Sequence, residues 1–496
     1  MAKERDKRDK TVRRVVLAAT AATLALAAAL AKGWEPGIRG EWVWEQGRLL
    51  VYFAPAMAAA LLLAAAAWFL CRPGRWIGMR PASRAIWLAA LVLLVLALQW
   101  GLLTAVGPPS ISWAAPGWII ASPNATTYFS ASLDVHNVEE WVASYPQHMG
   151  GLPHHARTHP PGFALLFYGL RQASAAVISE PAPLLASLAE NYNDTFGLGL
   201  RPTDAAAAVG GAAVIALIGA LSLLPLYCLG RELVGPEAAI RGVVLMASMP
   251  ALLLLAASSD QIILTLAVLT AWLFYSAWRR RALLRAFLAG AVAALGLFFS
   301  LGFAVAIPCA ALWGVFGALR CEDRRAAVRR LLMGGAVAAA GFAAFYLTLY
   351  LLWGYRPIAV AQQALLAHRE VTTAEFPRTY WKWVLMNPLE VAIFMGLPLV
   401  TATLWALRCL PREPGLARLA PFLLAWLIVL ALLNISGAVR GEVSRIWLFL
   451  FWPAALASGA WLAARPRFAA VTPALVVLQV SQAFLMRGYL TIYSIL

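Results

Sequence analysis

The chain is poor in charge, in long polar segments and in histidine, and each shortage narrows what it can be. Of its 496 residues 13% are Asp, Glu, Lys or Arg, 62% are apolar, and the mean hydropathy is +0.74. No stretch is polar and long enough to close a water-soluble domain, so one polytopic membrane domain is expected. A Walker loop and the glycine fingerprint of a dinucleotide-binding fold are both missing, and with them the usual phosphate cradles. The five cysteines, Cys71, Cys228, Cys309, Cys321 and Cys409, fall at predicted cytoplasmic helix ends or within a span. None falls in a predicted outer loop, which excludes a disulfide framework. There is no internal repeat and no low-complexity tail.

What the chain has is apolar runs. They cover 15–32, 50–71, 85–106, 161–178, 205–229, 238–258, 260–278, 286–301, 303–319, 331–353, 387–408, 419–436, 446–464 and 468–486. Runs of this length read as transmembrane helices, because in lipid each backbone polar group must pair within its own segment. An all-α polytopic fold of about 11–14 spans is expected. The first run lacks a small-residue cleavage pattern and reads as a span rather than a leader. The parts are amino-terminal helices 1–106, a long outer loop 107–160, a core 161–320, and carboxy-terminal helices 321–496 with outer loops 354–386 and 437–445.

The net charge of +17 suggests a nucleic-acid binder, but its distribution does not. Segments 1–14, 72–84, 230–241, 279–285, 320–330, 408–418 and 465–467 hold 27 of the 40 basic and 8 of the 23 acidic residues. The remainder is near neutral. This is the positive-inside bias of an inserted protein, not a phosphate-binding groove. It puts those segments in the cytoplasm and the long loops outside. If 279–285 is inside, 161–178 cannot be a simple crossing and reads as a re-entrant or interfacial helix.

Five of the six histidines (His136, His148, His154, His155, His159) crowd into the outer polar stretch 122–162. It closes with Arg157-Thr158-His159-Pro160-Pro161-Gly162. The Pro-Pro step stiffens the backbone and can hold His159 and Arg157 at the mouth of the next helix, suited to a phosphate. A plain loop-to-helix junction would use the same prolines. Asp134 and Asp260 are the carboxylates able to act as general base or bind a divalent cation; a solvated loop position and a helix cap are the bland alternatives. His154 and His155 are candidate ligands for a divalent metal, although their spacing matches no zinc pattern. Arg440, Glu442 and Arg445 stand at the outer end of a span, suited to a phosphate-sugar headgroup or to ordinary interfacial anchoring. Tyr380-Trp381-Lys382-Trp383 suits the headgroup layer.

At these residues the chain resembles the GT-C fold glycosyltransferases that use polyprenyl-phosphate sugars, a group with the protein O-mannosyltransferases and the lipid A aminoarabinose transferases. The resemblance lies in the long loop with Tyr128-Phe129, its close at His159-Pro160-Pro161, and Gly230-Arg-Glu-Leu-Val-Gly235 followed by Ser258-Ser259-Asp260. It covers roughly 110–320, with Arg440–Arg445 as an addition. It implies sugar transfer from a polyprenyl-phosphate donor to a glycan, lipid or protein acceptor at the outer face of the cytoplasmic membrane. Asp134, Asp260 and His159 would then be catalytic, and Arg157, Arg440, Glu442 and Arg445 would bind the donor phosphate. The chain departs from the family where an acidic pair would precede Tyr128: it has Asn124-Ala125 there, and asparagine cannot be a base. The other readings are a flippase for a lipid-linked precursor and a non-catalytic scaffold that retains the fold. Besides substrates the only partner expected is membrane lipid, with no nucleic acid.

Overall fold

The computed structural model describes residues 2–47, 53–105, 112–411 and 413–493. Parts of the expected spans 50–71 and 85–106, the start of the loop 107–160, and Arg412 lie outside the described residues. Among the described residues the fold is helical apart from one small antiparallel hairpin, Gly37–Ile38 with Trp42–Val43, and one isolated bridge between Gln46 and Leu490.

Among the described residues six helices are long and apolar enough to cross a membrane: Val12–Ala31, Pro81–Leu103, Pro202–Leu233, Asp260–Arg280, Leu301–Leu319 and Arg324–Trp353. A seventh is the pair Tyr380–Met395 and Leu397–Cys409, bent by 106°. The bend falls at Gly396, whose φ of +96° lies where side chains are disfavoured. Shorter apolar helices, Ala54–Leu70, Leu283–Phe299, Ala420–Ser436 and Leu448–Ala463, pack among them. The fold is thus all-α and polytopic, as the apolar runs predict.

Several expected spans form helices that are not counted as crossing, and two differ further in detail. The run 238–258 is broken into Pro236–Ala247 and Pro250–Leu254, because Pro250 has no N–H to continue the helix and restricts Met249 before it. The run 161–178 forms Gly162–Val177, which is not among the spanning helices. Pro183–Phe196 follows it, with Tyr192 buried and Glu190 and Asp194 exposed. Between the spans Pro81–Leu103 and Pro202–Leu233, the described helices Gly162–Val177 and Pro183–Phe196 each bury one face.

Lipid offers no hydrophobic drive between helices, so close packing by small residues must supply it. Leu283–Phe299 lies along Arg324–Trp353 so closely that a side chain on Gly290 would strike the Ala338 carbonyl, and one on Gly341 the Phe287 carbonyl.

Helix Asp260–Arg280 runs from a carboxylate to the basic turn Arg279–Arg280. Helix Ala420–Ser436 starts beside Arg418 and ends at the 437–445 segment. The candidate site residues on these two elements thus lie at the helix ends away from the basic turns.

Candidate active site

The histidine-rich loop is fixed by an unusual backbone. Thr127 is wholly buried at φ +55°, a left-handed conformation that a β-branched residue rarely takes. From there its Oγ1 accepts a hydrogen bond from the Ala156 N–H at 2.9 Å. Tyr145 ties the same segment down by donating to the carbonyls of Ala156 (3.2 Å) and His159 (3.0 Å). The short helix Tyr128–Ala131 and the 154–159 turn are thereby locked together.

His159 is oriented within that lock. Its Nδ1 lies 2.9 Å from the His155 carbonyl, and a carbonyl only accepts, so Nδ1 carries the proton. Nε2 is then the basic nitrogen. The ring stands edge-on to Tyr128, with centroids 5.5 Å apart. Burial pushes the imidazole of His159 down to about 4 and that of His155 to about 3. Both are neutral at pH 7.

Asp260 opens its helix, accepting from Ser258 Oγ at 2.6 Å. Arg445 meets it: Nε lies 3.7 Å from Asp260 Oδ2, while Nη2 donates to Glu442 at 3.0 Å. Glu442 also accepts from Arg378 Nη2 at 3.0 Å. The result is an alternating row of Asp260, Arg445, Glu442 and Arg378. Burial alone would raise the Glu442 carboxyl, but the Arg445 and Arg378 guanidiniums outweigh it and hold it at about 2. The side chains of Asp260, Arg445 and Glu442 remain 24%, 20% and 26% exposed, so they line a crowded recess rather than fill a core.

The turn carrying Glu442 and Arg445 is strapped from below. Glu442 adopts φ +57°, flanked by Gly441 at +81°. Asn387 accepts from Gly441 N–H at 3.0 Å, and Glu390 accepts from Ser444 N–H and Oγ at 3.1 and 2.8 Å. Arg378 lies over the rings of Trp42 and Trp383, 5.5 Å from each centroid, and donates to the Arg440 carbonyl. Trp42 arrives on the amino-terminal hairpin. That hairpin is clasped by Glu41, which accepts from Thr379, Lys382 and Trp383.

Of the residues expected from sequence, Asp260, His159, His155, Glu442 and Arg445 come together here. Asp134 does not join them. It is exposed on a 3-10 turn, and its charge acts on His148. The neighbouring helix Val138–Ala143 is capped by Asn137, not by Asp134. Asn124 is also exposed. Arg157 is paired with Glu375, which also lies 3.7 Å from His154. Arg440 donates to the carbonyls of Gly437 and Arg378 and lies over Tyr380, anchoring the turn. His154 and His155 face each other edge-on with 4.9 Å between centroids. Among the described residues no three His, Cys, Asp or Glu side chains are grouped to share an ion. Two imidazoles are fewer ligands than a protein zinc site uses, so this pair by itself does not fit a metal centre.

Sequence reasoning missed Arg378, Tyr493 and Glu375, and singled out Tyr128 only as an aromatic of the loop motif. Tyr493 accepts from Ala257 N–H at 3.1 Å beside Asp260's turn, far from it in the chain. Lys382 and Trp383, expected at the headgroups, turn inward to Glu41, and Trp383 is fully buried. No local signal marks these residues; only their partners do.

Residues 206–350 match the sequence profile of the dolichyl-phosphate-mannose-protein mannosyltransferases. The matched region contains Asp260. It leaves out the histidine loop and the Glu442–Arg445 turn. No curated protein matches the chain. Among solved structures the chain is similar to the oligosaccharyltransferase of Archaeoglobus fulgidus in its apo form, at 13% identity and TM-score 0.45 over 83% of this chain and 57% of that one. The same enzyme with zinc and sulfate gives 15% identity and TM-score 0.41 over 76% and 49%. Archaeal oligosaccharyltransferase AglB from the same organism, with an inhibitory peptide and a dolichol-phosphate, gives 14% and 0.42 over 81% and 56%. The chain spans about half the length of these structures.

Proposed function

We propose that the chain transfers a sugar from a polyprenyl-phosphate donor to an acceptor at the membrane face opposite its basic turns. The observation that carries this reading is the meeting of Asp260, Arg445 and Glu442 in one recess bordered by His159, from three segments far apart in sequence. Catalytic groups must share one reacting centre, whereas a scaffold has no need to bring them together.

In this reading the donor phosphate lies against Arg445. Its Nη1 has no partner among the described residues. The acceptor oxygen attacks C1 of the sugar and gives its proton to the Asp260 carboxylate. The bond from C1 to the phosphate oxygen breaks, and its electron pair leaves with the phosphate. Direct displacement inverts the anomeric centre. A phosphate leaving group needs little acid assistance, so positive charge held in place beforehand supplies much of the catalysis. His159, neutral and with Nε2 basic, borders the same space as hydrogen-bond acceptor. Arg378 and Glu442 set the position of Arg445. Asp134, His154, Arg157 and Arg440 act as structure around the recess, and no step is routed through a metal.

The positive-inside bias supports reading the site end of the bundle as the outer face of the cytoplasmic membrane. The acceptor is a glycan, lipid or protein that reaches that face. A panel of radiolabelled polyprenyl-phosphate sugars, offered to membranes carrying wild type, Asp260→Asn or His159→Ala, tests the reading. Transfer by wild type that collapses in Asp260→Asn at equal protein level supports it. Absence of transfer from every donor would turn the reading toward a flippase or a scaffold.

A further inference from the structure

Tyr128 begins the short helix Tyr128–Ala131 and is 6% exposed. Its ring is held without help from the hydroxyl. Phe163 packs on it at 4.9 Å, His159 stands edge-on at 5.5 Å, and its N–H donates to the Thr126 carbonyl at 2.7 Å. The hydroxyl itself has no hydrogen-bond partner among the described residues. Other buried phenols nearby are satisfied: Tyr145 donates to two carbonyls, and Tyr192 donates to Ala114.

The hydroxyl oxygen keeps some accessible surface, so it opens on the recess instead of being sealed among apolar groups. The next residue, Phe129, shows that a plain phenyl ring fits this stretch and is buried completely. The Tyr128 hydroxyl feels both Asp260 and Arg445. Burial first, and the Asp260 carboxylate after it, hold the phenol protonated well above its ordinary range. The recess therefore presents a fixed neutral donor beside the guanidinium assigned to the phosphate.

We propose that the Tyr128 hydroxyl donates a hydrogen bond to a phosphate oxygen of the lipid-linked donor, next to Arg445. This rests on the reading that the recess takes such a donor. Tyr128 keeps its proton throughout. The bond strengthens as the C1–O bond breaks and its electron pair moves onto the phosphate, so it favours the transition state over the bound substrate.

Tyr128→Phe removes one oxygen that hydrogen-bonds to no described protein group, so a structural role predicts no change. The expected result is a fall of about 10- to 100-fold in kcat/KM for sugar transfer, with the thermal midpoint unchanged. Binding of a sugar-free polyprenyl monophosphate to the detergent-solubilised full chain should weaken in parallel. An active wild type with Tyr128→Phe inside about twofold of it in both assays overturns the Tyr128 assignment and leaves the transferase reading standing. A wild type that transfers nothing, yet binds the monophosphate through Tyr128, removes the transferase reading and keeps the assignment. A wild type that neither transfers nor binds removes both.

Discussion

Arg445 Nε sits 3.7 Å from Asp260 Oδ2, at a point where the start of one membrane helix meets the turn that follows another. The same guanidinium also binds Glu442, so one cation holds two carboxylates from opposite sides. Arginine suits this position because its planar fork serves several directions at once, which an ammonium does not. Arg445→Lys should therefore behave nearly as badly as Arg445→Ala. Both are expected to lose about 100-fold or more in transfer. Retention of most activity by Arg445→Lys would mean that charge alone matters.

The two candidate aspartates should separate cleanly. Asp260→Asn is expected to lower kcat by about 10²- to 10⁴-fold, the usual span for a lost general base. Asp134→Asn should stay near wild type, because Asp134 is exposed and its charge acts on His148 rather than on the recess. Parallel turnover measurements on the two variants check this, and equal losses would refute the assignment.

The amino-terminal hairpin reaches the site through Arg378, held over Trp42 and Trp383. Trp42→Ala removes one stacking face, worth about 0.5–2 kcal/mol. The expected signature is a raised KM for the donor with a smaller change in kcat, since Arg378 acts on Arg445 only through Glu442. Steady-state kinetics with varied donor would show it. A pure kcat effect would argue against this route.

Acid should loosen the histidine loop. His155 and His159 have folded values near 3 and 4 against an ordinary 6.5. Between those limits the unfolded chain binds more protons than the folded one, so stability falls as pH drops from about 6.5 toward 4. Thermal unfolding at pH 7.5 and pH 5 should show a larger loss in wild type than in a His155→Gln, His159→Gln double variant. Equal losses would place the acid sensitivity elsewhere.

The helix contact at Gly290 and Gly341 leaves no room for a side chain. Gly341→Leu should destabilise the protein by roughly 1–3 kcal/mol, read as a lower thermal midpoint in detergent. An unchanged midpoint would mean that the two helices separate without cost.

Much of this protein was legible in one dimension. Apolar runs specify helices wherever they occur, because lipid leaves the backbone no other partner. The basic turns mark one side, and the His159-Pro160-Pro161 close and Asp260 stand out as polar residues bordering apolar runs. Helices form where those apolar runs lie, although among the described residues six, or seven with the bent pair, are long and apolar enough to cross, and Pro250 and Gly396 account for two of the breaks.

Tertiary structure decided which charges meet. Asp134 and Asp260 look alike in sequence, yet only Asp260 faces Arg445. Arg157 and Arg440 look as free as Arg445, but Glu375 takes the first and loop carbonyls take the second. Arg378 and Tyr493 carried no signal at all, and Tyr128 only that of an aromatic in the loop motif. A side chain's partners depend on which helix ends the packing brings together, and that packing comes from small-residue contacts and hydrogen bonds across long separations. Local pattern encodes where the chain is helical; only the assembled bundle sets the distances on which charge pairing and catalysis depend.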